Sequence, residues 1–209
     1  MYLTPEIIAD VLERQQVLSA DQVSEIKKQA SSMPRHLRSP RAYEQRSVAY
    51  ELVERLGLKS EKNGGTRIDE HTIAEAIARE AGMERIRIDP LQLDADLIES
   101  KISRPFAKRH RMIPLALEDG ILKVALANPF NLESIDSFKR ISGRELSLVV
   151  ASEPEILKAL TEFFGLRQSV KKAERDLTVG IDLGNLEQLV RMKNEAEIES
   201  SDQHIVNAV

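Results

Sequence analysis

The 209-residue chain has no cysteine. That excludes disulfides, thiolate metal sites and thiol catalysis, and it suits a reducing compartment. Aromatic residues are also scarce, 4% against 42% hydrophobic overall, so Leu, Ile, Val and Ala must build the core. The four histidines, His36, His71, His110 and His204, are too scattered to form a short ligand spacing, and no metal site is expected. There is no excess of positive charge: the net charge is −4, which argues against a general nucleic-acid binder. No apolar run approaches the roughly 18 residues of a membrane helix, and the first residues lack a basic segment leading into an apolar one. The expectation is a soluble, unexported, cytoplasmic chain without a membrane span. No G-x-x-x-x-G-K-[ST] occurs; Gly64-Gly65 is followed by Thr66-Arg67, which could not serve phosphates and magnesium as a lysine and hydroxyl do. Nor is there a G-x-S-x-G elbow, although scattered Ser, His and Asp leave a triad assembled in three dimensions open.

What is present is a succession of well-punctuated elements. Thr4-Pro5-Glu6 opens a helix carrying Ile7, Ile8, Val11 and Leu12, and Ser19 with Gln22 forms a near capping box before Val23 and Ile26. The two predict a helical hairpin. Val48, Leu52, Val53 and Leu56 predict a helix ended by Gly57, and Asp69 or a neighbour caps one through Ile73 and Ile77 to Gly82. Arg85-Ile86-Arg87-Ile88 alternates as a strand, and short helices start at Asp94 and Ser103. Segments 112–117 and 121–127 flank Glu118-Asp119-Gly120, whose Asp-Gly pair tolerates the positive φ of a tight hairpin. Asn131 caps a helix to Ile141, 145–150 is a third strand, and Ser152-Glu153-Pro154-Glu155 opens a helix to Gly165. Beyond it the pattern weakens into a charged linker, with a brief helical signal at 185–190 and a new apolar face from His204.

Three charged features stand out. Residues 31–46 collect Pro34, Pro40, Arg35, His36, Arg38, Arg41 and Arg46 and read first as a solvated basic loop, with an acidic-partner or lipid contact as the functional alternative. Glu118-Asp119 reads as a solvated turn in preference to an acid/base pair. Arg104, Lys108, Arg109 and Arg111 form the denser basic cluster. Arg104, Lys108 and Arg111 would share one face if the helix persists, open to an acidic partner or simply to solvent.

The run from Met112, M-I-P-L-x-L-E-D-G-x-L-x-V-A-x-A-N-P-x-N-L, together with 74–83 and 151–156, resembles the amino-terminal module of the type II secretion and type IV pilus assembly ATPases, the general secretory pathway protein E-like family. The likeness runs from about Asp69 to Gly165, and 205–209 resembles the start of that family's next domain. It implies a non-catalytic docking and regulatory module that binds the cytoplasmic domain of an inner-membrane assembly protein. It further implies that ATP, Mg and hexamer formation belong to an absent motor part, with no cofactor here and a place at the inner membrane only through the partner. Some members bind cyclic di-GMP through R-L-G-x-x-L-V-x-x-G motifs. Here the counterpart Ile7-Ile8-Ala9-Asp10-Val11-Leu12-Glu13-Arg14-Gln15-Gln16 lacks the arginine and both glycines, and 47–57 lacks R-L-G. A cyclic di-GMP sensor is therefore the competing reading, with tight nucleotide binding not expected.

The expected fold is α+β: a helical N-terminal region over 1–61, a small sheet packed with helices over 66–165, a charged linker over 166–203 and the start of a truncated domain at 204–209. Arg104, Lys108, Arg109 and Arg111 are the candidate partner-binding residues, and no catalytic, cofactor or metal residues are assigned.

Overall fold

A computed structural model describes residues 2–45, 47–62 and 64–180. Four helices build the N-terminal part around an aliphatic centre: α1 (Pro5–Arg14), α2 (Ala20–Ser32), α4 (Val48–Leu56) and α5 (Glu70–Ala81), with the short α3 (Pro40–Gln45) between α2 and α4. Their starts and stops are local. Thr4 accepts from the Ile7 N–H, Ser19 and Gln22 complete a reciprocal capping box, and Asp69 accepts from the Thr72 N–H. Gly57 and Gly82 end α4 and α5 in the left-handed conformation at φ 61° and 63°. Ile8, Leu12, Val23, Ile26, Val53, Ile73 and Ile77 form the core that these helices share.

The second part carries the sheet. Strands β1 (Met112–Glu118) and β2 (Ile121–Leu126) form an antiparallel hairpin, and β3 (Glu145–Val150) lies parallel to β2 in the order β1-β2-β3. Asp119 and Gly120, at φ 51° and 82°, make the two-residue turn expected from their identities. Pro114, which has no N–H to give a ladder, sits on the edge strand beside a bulge between Pro114 and Ala116. Helix α8 (Leu132–Ser142), capped by Asn131, is the crossover that a parallel β2–β3 pair requires. Short helices α6 (Ala95–Lys101) and α7 (Arg104–His110) precede the hairpin, and α9 (Glu153–Gly180) follows the sheet. Met112, Leu122, Val124, Phe138, Ile156 and Leu160 are buried together here. The described residues are therefore α+β, nine helices and one three-stranded sheet. Residues up to Phe164 form one compact unit; Gly165 begins another, of which the continuation of α9 to Gly180 is described.

Four readings differ from the structure in detail. The alternating 85–88 segment makes a single bridge, Arg85 to Val150, flanked by Ile86 N–H to Val150 O (2.9 Å) and Val150 N–H to Glu84 O (2.8 Å). Its Ile86 and Ile88 instead pack directly on the second core. Segment 31–46 is not simply a loop: a 3-10 turn spans Arg35–Arg38, and Ser39 and Pro40, a hydroxyl cap and a first-turn proline, start α3. Gly165 does not end α9, which runs from Glu153 to Gly180, because helix on both sides of it outweighs the roughly 1 kcal/mol that a helical glycine costs. The fourth concerns Arg111 and is taken up with the site. The helical signal at 185–190, the apolar face from His204 and most of the expected linker lie outside the described residues.

Candidate docking face and adjoining pocket

Helix α7 presents the basic cluster. Ser103 Oγ accepts from the Phe106 N–H, Pro105 occupies the first turn, and the helix ends at Arg111, which has φ 51°. That left-handed cap decides the fate of the four cations. Because α7 stops at His110, Arg111 does not continue the face of Arg104 and Lys108; it turns inward and is only 6% exposed. The shared face expected of Arg104, Lys108 and Arg111 does not form.

Arg111 is instead the hub of a buried polar knot. Its Nε donates to Glu153 Oε1 (2.9 Å), Nη1 to the Glu44 carbonyl (3.0 Å) and also to the Lys108 carbonyl, and Nη2 to the Tyr43 carbonyl (2.6 Å). A planar guanidinium suits this task, since its fork meets a carboxylate and several carbonyls at once. Glu153 is equally buried, and burial pushes its carboxyl above the usual range even though the Arg111 charge and hydrogen bond pull it down. The knot ties α3, the end of α7 and the start of α9 together, so one arginine spans segments far apart in sequence.

The other three cations face outward to different degrees. The Arg104 guanidinium lies over the Phe164 ring at 5.5 Å and remains exposed. Arg109 pairs with Glu44 at 3.3 Å, but Arg109 is well exposed and Glu44 half-buried, so the pair is worth little. Lys108 is half-buried, and its carbonyl is one of the Arg111 acceptors.

Behind Arg109 lies a pocket of about 200 Å³ that sequence reasoning missed. Tyr2 and Tyr43 line it and stack with ring centroids 5.7 Å apart and planes 18° off parallel, and the Tyr2 hydroxyl donates to Glu44 Oε1 (2.9 Å). His110 Nδ1 and Ser134 Oγ, also in its lining, meet at 2.6 Å. Burial, followed by the nearby Arg109 charge, holds the imidazole below its ordinary value and favours the neutral ring. Ser134 is only 4% exposed, so this contact anchors His110 and presents no nucleophile. Arg111 and Glu153 line the same pocket. The pocket thus brings together stacked rings, an imidazole held toward its neutral form and an exposed guanidinium. Among the described residues, no three His, Asp or Glu side chains converge as metal ligands, and no helix is long and apolar enough to cross a membrane. Tyr2, Tyr43 and Glu153 carried no sequence signal as a set, because three separate elements bring them together.

A helical lobe on a hairpin-and-crossover sheet, with a basic helix beside a polar pocket, defines a small module of α+β class. Residues 81–170 match the MshEN domain. Among curated proteins, the chain is 21% identical over 153 residues to the type IV pilus assembly ATPase TfpB of Acinetobacter baylyi (73% of this chain, 26% of that protein). It is 26% identical over 110 residues to the type IV pilus assembly ATPase PilB of Myxococcus xanthus (53% of this chain, 19% of that protein). The chain thus spans about a quarter or less of these relatives. Among solved structures, MshE with cdg aligns with a TM-score of 0.50 at 16% identity, over 75% of this chain and 97% of that one, a likeness of fold. The N-terminal domain of XpsE aligns at 23% identity with a TM-score of 0.46, over 77% and 96%. The chain is thus similar, over part of their length, to type IV pilus assembly ATPases, and the MshEN domain match covers its residues 81–170.

Proposed function

We propose that this chain is the docking and regulatory N-terminal region of a type II secretion or type IV pilus assembly ATPase, and that it binds the cytoplasmic domain of an inner-membrane assembly protein through the outer face of α7. The observation that carries the reading is the division of labour within the basic cluster. Arg111 is spent internally, holding α7 against α3 and α9, while Arg104 and Arg109 stand exposed on the helix so fixed. A rigid element that presents long cationic side chains is what an acidic partner surface needs for orientation and rapid encounter. The curated relatives, of which the chain covers only a part, are ATPases by name, and the chain itself has no phosphate-binding loop. ATP, Mg and hexamer formation accordingly belong to a motor part, and this region is not itself catalytic. It lies in the cytoplasm, peripheral to the inner membrane through its partner.

A second reading, a cyclic di-GMP sensor of the same motor, is favoured by the stacked Tyr2 and Tyr43 beside Arg109 and by the likeness to MshE with cdg. Against it, the ten-residue counterpart of the binding motif carries Ile7, Ala9 and Gln16 where that motif has arginine and two glycines. Gln16 still adopts φ 56°, so the left-handed turn survives without the glycine that lets a ligand approach the backbone. The deciding experiment titrates the chain with the assembly protein's cytoplasmic domain and, in parallel, with cyclic di-GMP. Saturable protein binding without nucleotide binding is expected; nucleotide binding without a protein partner moves the chain to the sensor class.

A further inference from the structure

Residues 26–43 contain five cations, Lys27, Lys28, Arg35, Arg38 and Arg41, and no acid. In a chain of net charge −4 this stretch is therefore an island of +5, with −9 spread over the rest. The structure sorts these cations by what they touch. Lys27 is neutralised by Asp10 at 2.6 Å, and Arg38 Nη1 donates to the Ser31 carbonyl at 3.2 Å, which leaves its charge unpaired. Lys28, Arg35 and Arg41 are exposed and make no ion pair among the described residues. Arg35, Arg38 and Arg41 recur every third residue. Within the 3-10 turn Arg35–Arg38 that spacing eclipses the first two on one edge, and Arg41 follows in the first turn of α3. Between them Met33 and Leu37 remain half-buried, giving the ridge a shallow apolar component.

We infer that this ridge, from the end of α2 through the 3-10 turn to the start of α3, is a contact surface for an anionic phospholipid bilayer. It goes beyond the docking of a protein partner on α7 and does not depend on it. The cations project from a turn and two helix ends and line no part of the pocket beside α7. A folded acidic partner would need a shaped, complementary recess, whereas a headgroup layer needs only several long cationic side chains and a little apolar surface brought to one level. Asp10, Glu6 and Glu13 lie near Lys27 and take that cation out of the ridge's surplus, whereas acids more than about 8 Å from the membrane are screened at physiological salt. The excess of acids elsewhere orients the chain instead, turning the basic ridge toward the bilayer.

The test is cosedimentation of the whole chain with vesicles of neutral phosphatidylcholine or of phosphatidylcholine containing about a third phosphatidylglycerol. Binding is expected only to the anionic vesicles and is expected to vanish at roughly 0.5 M salt. The variant with Lys28→Glu, Arg35→Glu and Arg41→Glu should bind more than about a hundredfold more weakly, since loss of three cations at about fivefold each is compounded by three added negative charges, with an unchanged melting temperature. The corresponding triple glutamine variant, which only removes the three cations, should lose about a hundredfold, which keeps the comparison open if charge reversal disturbs folding. Arg104→Glu with Arg109→Glu should leave vesicle binding intact. Equal binding to neutral vesicles, no loss in the glutamine variant, or loss in the α7 variant instead would overturn the inference. So would equally tight capture of polyglutamate of matched charge, which would reassign the ridge to an acidic polypeptide.

Discussion

The helical lobe and the sheet lobe of this chain reach the same burial by different means. The helical lobe is assembled from near-neighbour pieces, in which each helix has its own cap and stop and adds an aliphatic stripe to one core of Ile8, Leu12, Ile26, Ile73 and Ile77. The sheet lobe depends on distant partners: β2 pairs with β3 only after α8 has crossed over, and Phe138 fills the centre. What joins them is Val150 and Phe130 packed on the helical core, Arg111 donating to the Tyr43 and Glu44 carbonyls, and Arg85 held between His71 of α5 and Glu155 of α9. Local signals suffice for the helical part, the sheet needs pairing between segments distant in sequence, and long-range polar contacts of Arg111 and Arg85 set how the parts meet.

The largest effect should come from breaking that joint. Arg111→Ala leaves Glu153 buried without its cation and frees three carbonyls, and should cost about 3–5 kcal/mol in urea unfolding. Arg111→Lys keeps the charge but not the fork and should recover only part of the loss. Next, Ile77→Ala in the helical core should cost about 2–5 kcal/mol, with hydrogen exchange accelerating first in α1 and α5 if the lobes are separable. Equal acceleration in β2 would show that they unfold as one. Removing a single cap is smaller: Ser19→Ala should cost about 1 kcal/mol and fray the start of α2.

The smallest expected effect is a pH dependence. The His110 imidazole is held below 6.5 in the folded chain, so on acidification the unfolded chain takes up its proton first and the native state loses stability as pH falls below 6.5. Glu153 acts in the opposite sense from 4.5 upward. Its raised carboxyl means that the native state holds the proton longer, and its contribution to stability falls as pH rises. The His110 contribution is therefore read as the difference between the chain and His110→Gln, which should show a flatter profile between pH 5 and 6.5.

Much of the fold was legible because its signals are short. Caps at Thr4, Ser19, Ser103 and Asn131, glycine stops at Gly57, Gly82 and Gly143, and the Asp119-Gly120 turn all lie where the residue types predict. The misses are positions where tertiary context overrode a local pattern. Ile86 and Ile88 alternate like a strand but answer to a core, and Gly165 is carried through a helix that its neighbours support. The site was less legible. Arg104 and Arg109 are exposed as cationic face residues should be, but nothing in the spacing of Arg111 foretold a left-handed cap that turns its side chain toward Glu153, 42 residues on. The pocket was invisible for the same reason, since Tyr2, Tyr43 and His110 meet only after folding.

The most direct test of the account is partner affinity measured for Arg104→Glu with Arg109→Glu against the unaltered chain, using the cytoplasmic domain of the assembly protein. Reversing two exposed cations should weaken binding at least tenfold, mainly through slower association, while leaving the melting temperature unchanged. Unaltered affinity in a correctly folded variant would contradict the assignment of α7 as the docking face.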